Sequence, residues 1–451
     1  MLLRIAAPLV ALAVGAAAVF YGWDALRPAS RTEPSTFEVG EPPLFVLPAP
    51  VLDDGPGVRP ADSTELGTRL DELVTADDLG GHFGLAVAVL GSDELLYTHN
   101  ATDTFIPAST IKIITGAAVL ELLGPDARFD TTVVAGSEPG EIVLVAGGDP
   151  TLTTAPEPAV PGGGTLAELA HRTAEVLLAD GITSVRLGYD ASLFAGPAVD
   201  SDWRPSYITS DVVAPVTALQ VDGGRERPGF AARADDPALD AAREFAAMLG
   251  DHGVTVTGRP SRSDAKDGEP LAAISSPPLA HIVEHMLATS DNDMAENLAR
   301  HAGLAGAGAA SSEAAPDAVA AALGELGIDL SGATVLDGSG LARGSALTPE
   351  SLVRTLNAAA DPQLPGLRAV LSGLPVASFS GTLTERVNGG GGSVRAKTGT
   401  LTGVTSLAGT VLGADGVTYV FAAMADDISN TLAARAAIDE IAAAISQCGC
   451  A

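Results

Sequence analysis

The chain has 451 residues, 46% of them apolar, which suits two or three domains with sizeable cores. Its formal net charge is −31, and such an excess of carboxylates excludes nucleic acids and other polyphosphates as partners, because they need concentrated positive charge. Only two cysteines occur, Cys448 and Cys450, so no disulfide framework holds the fold. A tight loop, an intermolecular bridge and two idle thiols are all open to that pair.

Arg4 precedes an apolar run from Ile5 to Tyr21. A basic start followed by about 17 to 19 apolar residues reads, over residues 1–23, as an export signal or an uncleaved membrane anchor with the bulk of the chain outside. A buried helix in a cytosolic protein is the plain alternative. Residues 24–58 are rich in Pro, Ser, Thr and Glu and read as a linker. Leu66, Leu70 and Leu73 give Ser63 to Ala76 a helical spacing. Phe83 to Leu90 and Glu94 to Thr98, joined at Gly91-Ser92, predict a hairpin. Pro107 halts the preceding element, and a helix is predicted over Ser109 to Leu123, with Ile113, Ala117 and Leu120 on one side and Gly124-Pro125 ending it.

From 129 to 270 the texture changes. Short strands (Thr131 to Ala135, Glu141 to Ala146, Val185 to Tyr189, Val254 to Val256) alternate with turns and with helices at Thr165 to Leu178 and Asp236 to His252. This region can bury a small core of its own. Further helices are predicted at Pro277 to Ala288, Asp293 to Leu304, Ala309 to Leu326, Leu352 to Ala360 and Pro365 to Leu371. Three successive antiparallel strands follow, from Ser393 through Lys397-Thr398-Gly399, then Ser406 to Leu412, then Val417 to Ala423. An amphipathic helix, Thr431 to Ile445, comes last. The expected organisation is a discontinuous domain, 59–128 and 271–451, interrupted by an inserted α/β region at 129–270.

Lysine is scarce. Against 22 arginines there are three lysines, Lys112, Lys266 and Lys397. Arginine cannot be deprotonated in a protein, so a lysine kept beside a serine has a proton to offer or take. Lys266 lies in an expected surface turn. Lys112 lies in Ser109-Thr110-Ile111-Lys112, where one helical turn places its amine near the serine hydroxyl. Burial and nearby cations can depress its pKa and make it a general base, while the helix N-terminus offers donors to an oxyanion. Ser290-Asp291-Asn292 sits between two predicted helices. Capping is its ordinary use; the functional reading gives Ser290 a relay hydroxyl, Asn292 an amide for substrate and lysine, and Asp291 the turn. Lys397-Thr398-Gly399 lies on a predicted strand. There Lys397 and Thr398 suit a carboxylate, Gly399 permits close approach of a ligand, and Thr400 offers a backbone N–H.

Each motif is weak alone, but their order is specific. Ser-x-x-Lys, then Ser-Asp-Asn, then Lys-Thr-Gly is the signature of the penicillin-recognising serine acyl enzymes, which this chain resembles at those residues. Ser109 and Ser290 are 181 positions apart. So large an insertion resembles the D-alanyl-D-alanine carboxypeptidase/endopeptidase group, peptidase S13 or penicillin-binding-protein-4-like. Gly147-Gly148-Asp149-Pro150, Asp337-Gly338-Ser339-Gly340-Leu341-Ala342-Arg343 and Gly381-Thr382-Leu383 resemble it too. Ala342 stands where serine is common, and Leu401 where methionine often stands.

The resemblance implies an α/β (α+β) transpeptidase-like fold, an antiparallel sheet flanked by helices. It implies peptidoglycan stem peptides as substrate, β-lactams as covalent inhibitors, and no cofactor or metal. Ser109 is then the nucleophile, Lys112 its base, and Ser290 with Lys397 the relay. The oxyanion donors are the N–H groups of Ser109 and Thr400, with Thr398 and Thr400 on the terminal carboxylate. Leu341 and Arg343 line the pocket for the third stem residue. A β-lactamase and a silent peptidoglycan-binding scaffold share these motifs; the rate of deacylation separates the first, and intact motifs argue against the second.

Four other features have plainer readings. His281, Glu284 and His285 lack the His-Glu-x-x-His order and read as ordinary helix residues. Asp149 reads as a turn residue. Asn297 reads as local scaffold. Trp203 and Tyr207 are equally compatible with core packing and with a substrate face.

Overall fold

The computed structural model describes residues 63–265, 268–386 and 390–448. The expected export segment and linker, and Lys266, lie outside them. Among the described residues no helix is long and apolar enough to cross a membrane. Helix α1 (Ser63–Leu73) leads into the hairpin β1 (His82–Val89) and β2 (Leu95–His99), and helix α2 (Ile111–Leu123) follows. The expected helix start at Ser109 is displaced. Ala108–Thr110 form a 3-10 turn and the α-helix begins at Ile111. Ala108 has a φ of 47°, outside the helical range, so the chain tightens before the helix can propagate. Every residue of α2 from Ile111 to Leu120 is buried, so the expected one-sided stripe is in fact a helix enclosed all round.

The chain between the first two motifs builds its own sheet. Its elements are β3 (Asp130–Ala135), β4 (Glu141–Val145), α3 (Leu166–Ala179), β5 (Ser184–Asp190), α4 (Pro237–Asp251), β6 (Thr255–Val256), β7 (Ser261–Arg262) and β8 (Pro270–Ser275). The strand order is β6-β5-β4-β3-β8, with β7 paired to β5. Thr165 and Asp236 cap the two helices, accepting from Glu168 and Leu239 N–H groups. Leu166, Leu169, Phe245 and Leu249 pack with Val133, Leu144 and Leu187 of the strands. Strand β8 pairs with β3, so the region runs through Ser275 and not only to 270. The run from Pro270 to Ser275 looks the same locally in either sheet, and only the long-range pairing assigns it.

The second half returns to the first sheet through α5 (Leu279–Thr289), α6 (Asn292–Ala307), α7 (Ala315–Glu325) and α8 (Pro349–Ala360). It finishes with β9 (Val394–Leu401), β10 (Val404–Leu412), β11 (Thr418–Asp426) and α9 (Thr431–Ser446). Helix α7 starts later than expected from Ala309, with Pro316 in its first turn. The sheet order is β2-β1-β11-β10-β9, antiparallel throughout. Period-two alternation divides its side chains. Leu85, Val87, Leu407 and Phe421 meet α1 and α9 on one face. Ala86, Ala88, Ala408 and Ala422 meet the α2, α5, α6 and α8 layer on the other. Cys448 is disulfide-bonded, which removes the idle-thiol reading.

Candidate active site

The three motifs converge where α2, the α5–α6 junction and β9 meet. Ser109 sits in its 3-10 turn, partly exposed. That turn is clamped from several sides. The Ile106 N–H donates to Asp426 Oδ2 at 2.8 Å. The Pro107 carbonyl accepts from Thr110 Oγ1 and from Ser406 Oγ, each at 2.7 Å. Two glycines let backbone come close. A Cβ on Gly340 would lie 2.0 Å from the Ala108 carbonyl oxygen, and one on Gly399 2.6 Å from that of Pro107. Gly399 therefore makes room for the nucleophile's own turn, where a bound ligand was expected.

Lys112 is fully buried. Its Nζ lies 3.1 Å from Ser109 Oγ and donates to Asn292 Oδ1 at 2.8 Å and to the Ser339 carbonyl at 2.7 Å. Burial lowers its pKa to about 8, against the opposing pull of Asp337, Glu296, Asp291 and Asp293. A neutral amine has two N–H donors and one lone pair. Here the two fixed acceptors take the donors, and the lone pair is left for Ser109.

Ser290 caps α5 in a left-handed conformation, φ 60°, while the Asp291 carboxylate caps α6 by accepting from the Met294 N–H at 2.8 Å. This break turns Ser290 and Asn292 into the cleft. Asn292 Nδ2 donates to the Val212 carbonyl at 3.0 Å, and Asp293 accepts from the Ala214 N–H at 2.7 Å. A strap of the inserted region thus holds the second motif. Asn292 spends its amide on that strap and on Lys112.

Lys397 Nζ donates to Ser290 Oγ and to the Thr398 carbonyl, both at 2.8 Å. Its pKa is driven well below the usual lysine range by burial, then by the Lys112 and Arg386 charges. All three causes act against its protonation, whereas the carboxylates around Lys112 partly offset the burial of that amine. Thr398 Oγ1 bonds Thr382 Oγ1 at 3.0 Å, and Thr400 is exposed. Strand β9 is the sheet edge. The Ala396 N–H bonds the Pro375 carbonyl outside the sheet, so by alternation Thr398 and Thr400 also turn their N–H and C=O groups outward.

Leu341 is buried against Trp203, Val213 and Val216. Trp203 is thus packed in, with Tyr207 and Leu401 partly buried beside the same cluster. Arg343 is half-buried, and its Nη1 has no hydrogen-bond partner. Asp149 accepts from the Thr151 N–H and hydroxyl, a turn role, and burial pushes its pKa up to about 6. Asn297 Nδ2 donates to the Asp293 carbonyl. His281, Glu284 and His285 line a groove away from Ser109, and among the described residues no cluster of three or more His, Cys, Asp or Glu is placed to hold a metal. Sequence reasoning missed Glu296, buried one turn after Asn292, and gave no role to Asp337. Glu296 accepts from the Ser339 N–H at 2.8 Å, and burial followed by Asp337 raises its pKa to about 8.

A buried lysine aimed at a serine, with a second buried lysine on the sheet edge bonded to a serine at the helix junction, is an arrangement suited to acyl transfer. Residues 66–231 and 226–447 match the D-Ala-D-Ala carboxypeptidase 3 (S13) family. The chain is 37% identical over 423 residues to carboxypeptidase DacB of Mycolicibacterium smegmatis, covering 89% of this chain and 90% of that one. It is 30% identical over 464 residues to the D-alanyl-D-alanine carboxypeptidase of Actinomadura sp., covering 83% of each. Penicillin binding protein 4 (dacB) from Haemophilus influenzae shares the fold, with TM-score 0.66 at 22% identity over 82% of this chain and 94% of that one; it has also been solved complexed with a β-lactam. The chain belongs to the S13 peptidase family.

Proposed function

We propose that this protein is a serine-type D-Ala-D-Ala carboxypeptidase, with DD-endopeptidase action through the same residues, working on peptidoglycan stem peptides outside the cytoplasm. The observation that carries the reading is Lys112, fully buried and 3.1 Å from Ser109 Oγ, with both of its other contacts fixed acceptors.

Ser109 Oγ attacks the penultimate D-Ala carbonyl while Lys112 takes its proton. The oxyanion is met by the N–H groups of Ser109 and Thr400. The tetrahedral intermediate collapses, the C–N bond breaks, and the departing D-alanine amine receives a proton through Ser290, which Lys397 contacts at 2.8 Å. Thr398 and Thr400 take the terminal carboxylate at the open edge of β9, with Lys397 supplying positive charge beside them, and Gly399 lets that strand close on the nucleophile turn. Water then hydrolyses the acyl-enzyme and restores the Ser109 hydroxyl. Asn292 holds the Lys112 amine in place. Arg343, with its unpartnered buried Nη1, takes an anionic group on the third stem residue, beside Leu341. β-Lactams acylate Ser109 because they present a carbonyl and a carboxylate in the same arrangement.

Labelling with a fluorescent penicillin tests the reading. Wild type is expected to carry one label, on Ser109, and Ser109→Ala none, with D-alanine release from a pentapeptide lost in parallel. Label on another residue, or unchanged release by Ser109→Ala, overturns it.

A further inference from the structure

Lys112 is aimed by a carbonyl that must itself be held. That carbonyl, of Ser339, shares a planar trans peptide with the N–H of Gly340, so the two groups point in opposite directions. The Gly340 N–H donates to Asp337 Oδ1 at 2.9 Å, while the Ser339 carbonyl accepts from Lys112 at 2.7 Å. The peptide therefore stands between a carboxylate and the amine, its dipole aligned with both. Asp337 Oδ2 accepts from the Ala342 N–H at 2.8 Å, from Trp203 Nε1 at 2.9 Å and from Ser339 Oγ at 3.3 Å. Asp337 and Trp203 are each buried, and Trp203 comes from the inserted region.

We infer that Asp337 is a positioning residue for the general base, acting on Lys112 through the Ser339–Gly340 peptide, and that Trp203 ties this line to the inserted region. The inference rests on Lys112 being the base. Asp337 orients the amine, and its negative charge favours the ammonium form over the neutral amine that takes the Ser109 proton. Of the carboxylates facing Lys112, Asp337 opposes the loss of the proton most, ahead of Glu296, Asp291 and Asp293; Lys397 is the facing cation. Glu296 holds the neighbouring peptide through the Ser339 N–H, and it faces Asp337, Lys112 and Arg300.

The test follows penicillin acylation rates from pH 5 to 10 in the full chain. Asp337→Asn is expected to lower the plateau rate roughly tenfold, the effect of a misdirected reacting group. It is also expected to move the acid limb to lower pH by roughly one unit, the size expected for removing a unit charge several ångströms away. Trp203→Phe keeps the carboxylate but removes one of its donors, so its limb is expected to move the other way, to higher pH. An unchanged profile in Asp337→Asn overturns the inference. So does a slower rate with an unmoved limb, which assigns Asp337 to scaffolding alone. If Asp337→Asn does not fold, Trp203→Phe decides, and an unmoved limb overturns the proposal. Wild type must label at Ser109 in the same experiment; its failure sinks the enzymatic reading and leaves this inference without a base to act on.

Discussion

The two cleft lysines are equally buried and sit in opposite electrostatic company. Lys112 has carboxylates around it, and three oxygens meet its amine. Lys397 has two oxygens, and the charges bearing on it are the cations Lys112 and Arg386. Burial disfavours the charged form of both. At Lys112 the carboxylates return part of that cost, leaving a base that loses its proton near neutral pH. At Lys397 the neighbouring cations Lys112 and Arg386 add to it. The contrast teaches that equal burial leaves one amine partly compensated by the protein's carboxylates and the other opposed by its cations, which on the proposed function leaves Lys397 suited to a substrate anion.

Replacing each lysine is the strongest way to break this comparison. Lys112→Ala should lower acylation by roughly 10³ or more, within the range for losing a general base, with circular dichroism unchanged. Lys397→Met should cost roughly 10², and the loss should be larger for a substrate with a free terminal carboxylate than for the same substrate as its amide. Equal losses on both substrates would contradict the assignment of Lys397 to the carboxylate. The pH dependence sharpens the pair. Lys112 is protonated and inactive below its pKa, so acylation should rise as pH increases through about 8. Carboxylate binding should raise the Lys397 pKa, which links binding to proton uptake, so affinity for a carboxylate ligand should weaken as pH rises, read by calorimetry in two buffers of different ionisation enthalpy. The smallest effect is expected at Ser406→Ala. It removes one hydrogen bond to the Pro107 carbonyl and should cost about 1 kcal/mol, a severalfold slower acylation with both pH limbs in place.

How much of this was legible in sequence follows from distance along the chain. Ser109 and Lys112 are one turn apart, and Lys397, Thr398 and Thr400 share one strand, so local periodicity sets their relation. The large sheet was legible for the same reason, because Phe83 to Leu90 and Val417 to Ala423 carry their own alternation. Asp337 and Trp203 are 134 residues apart, and nothing in either neighbourhood announces the other. The pairing of β8 with β3 is equally long-range, so the boundary at 270 could not show that the inserted sheet runs through Ser275. Gly399 misled differently. A glycine signals close approach without saying what approaches, and here the nearest groups are Ser406 Oγ and the Pro107 carbonyl.

The strap from Val212 to Ala214 has a further consequence for the architecture. It occupies the Asn292 amide and the Asp293 carboxyl, while Trp203 occupies Asp337. Cutting out the stretch that separates Ser109 from Ser290 is therefore expected to release Asn292, Asp293 and Asp337 from these contacts. A truncated chain would keep every motif and lose the contacts that hold Asn292 and Asp337, so excision should be read as an active-site lesion even though it removes no residue of the three signatures.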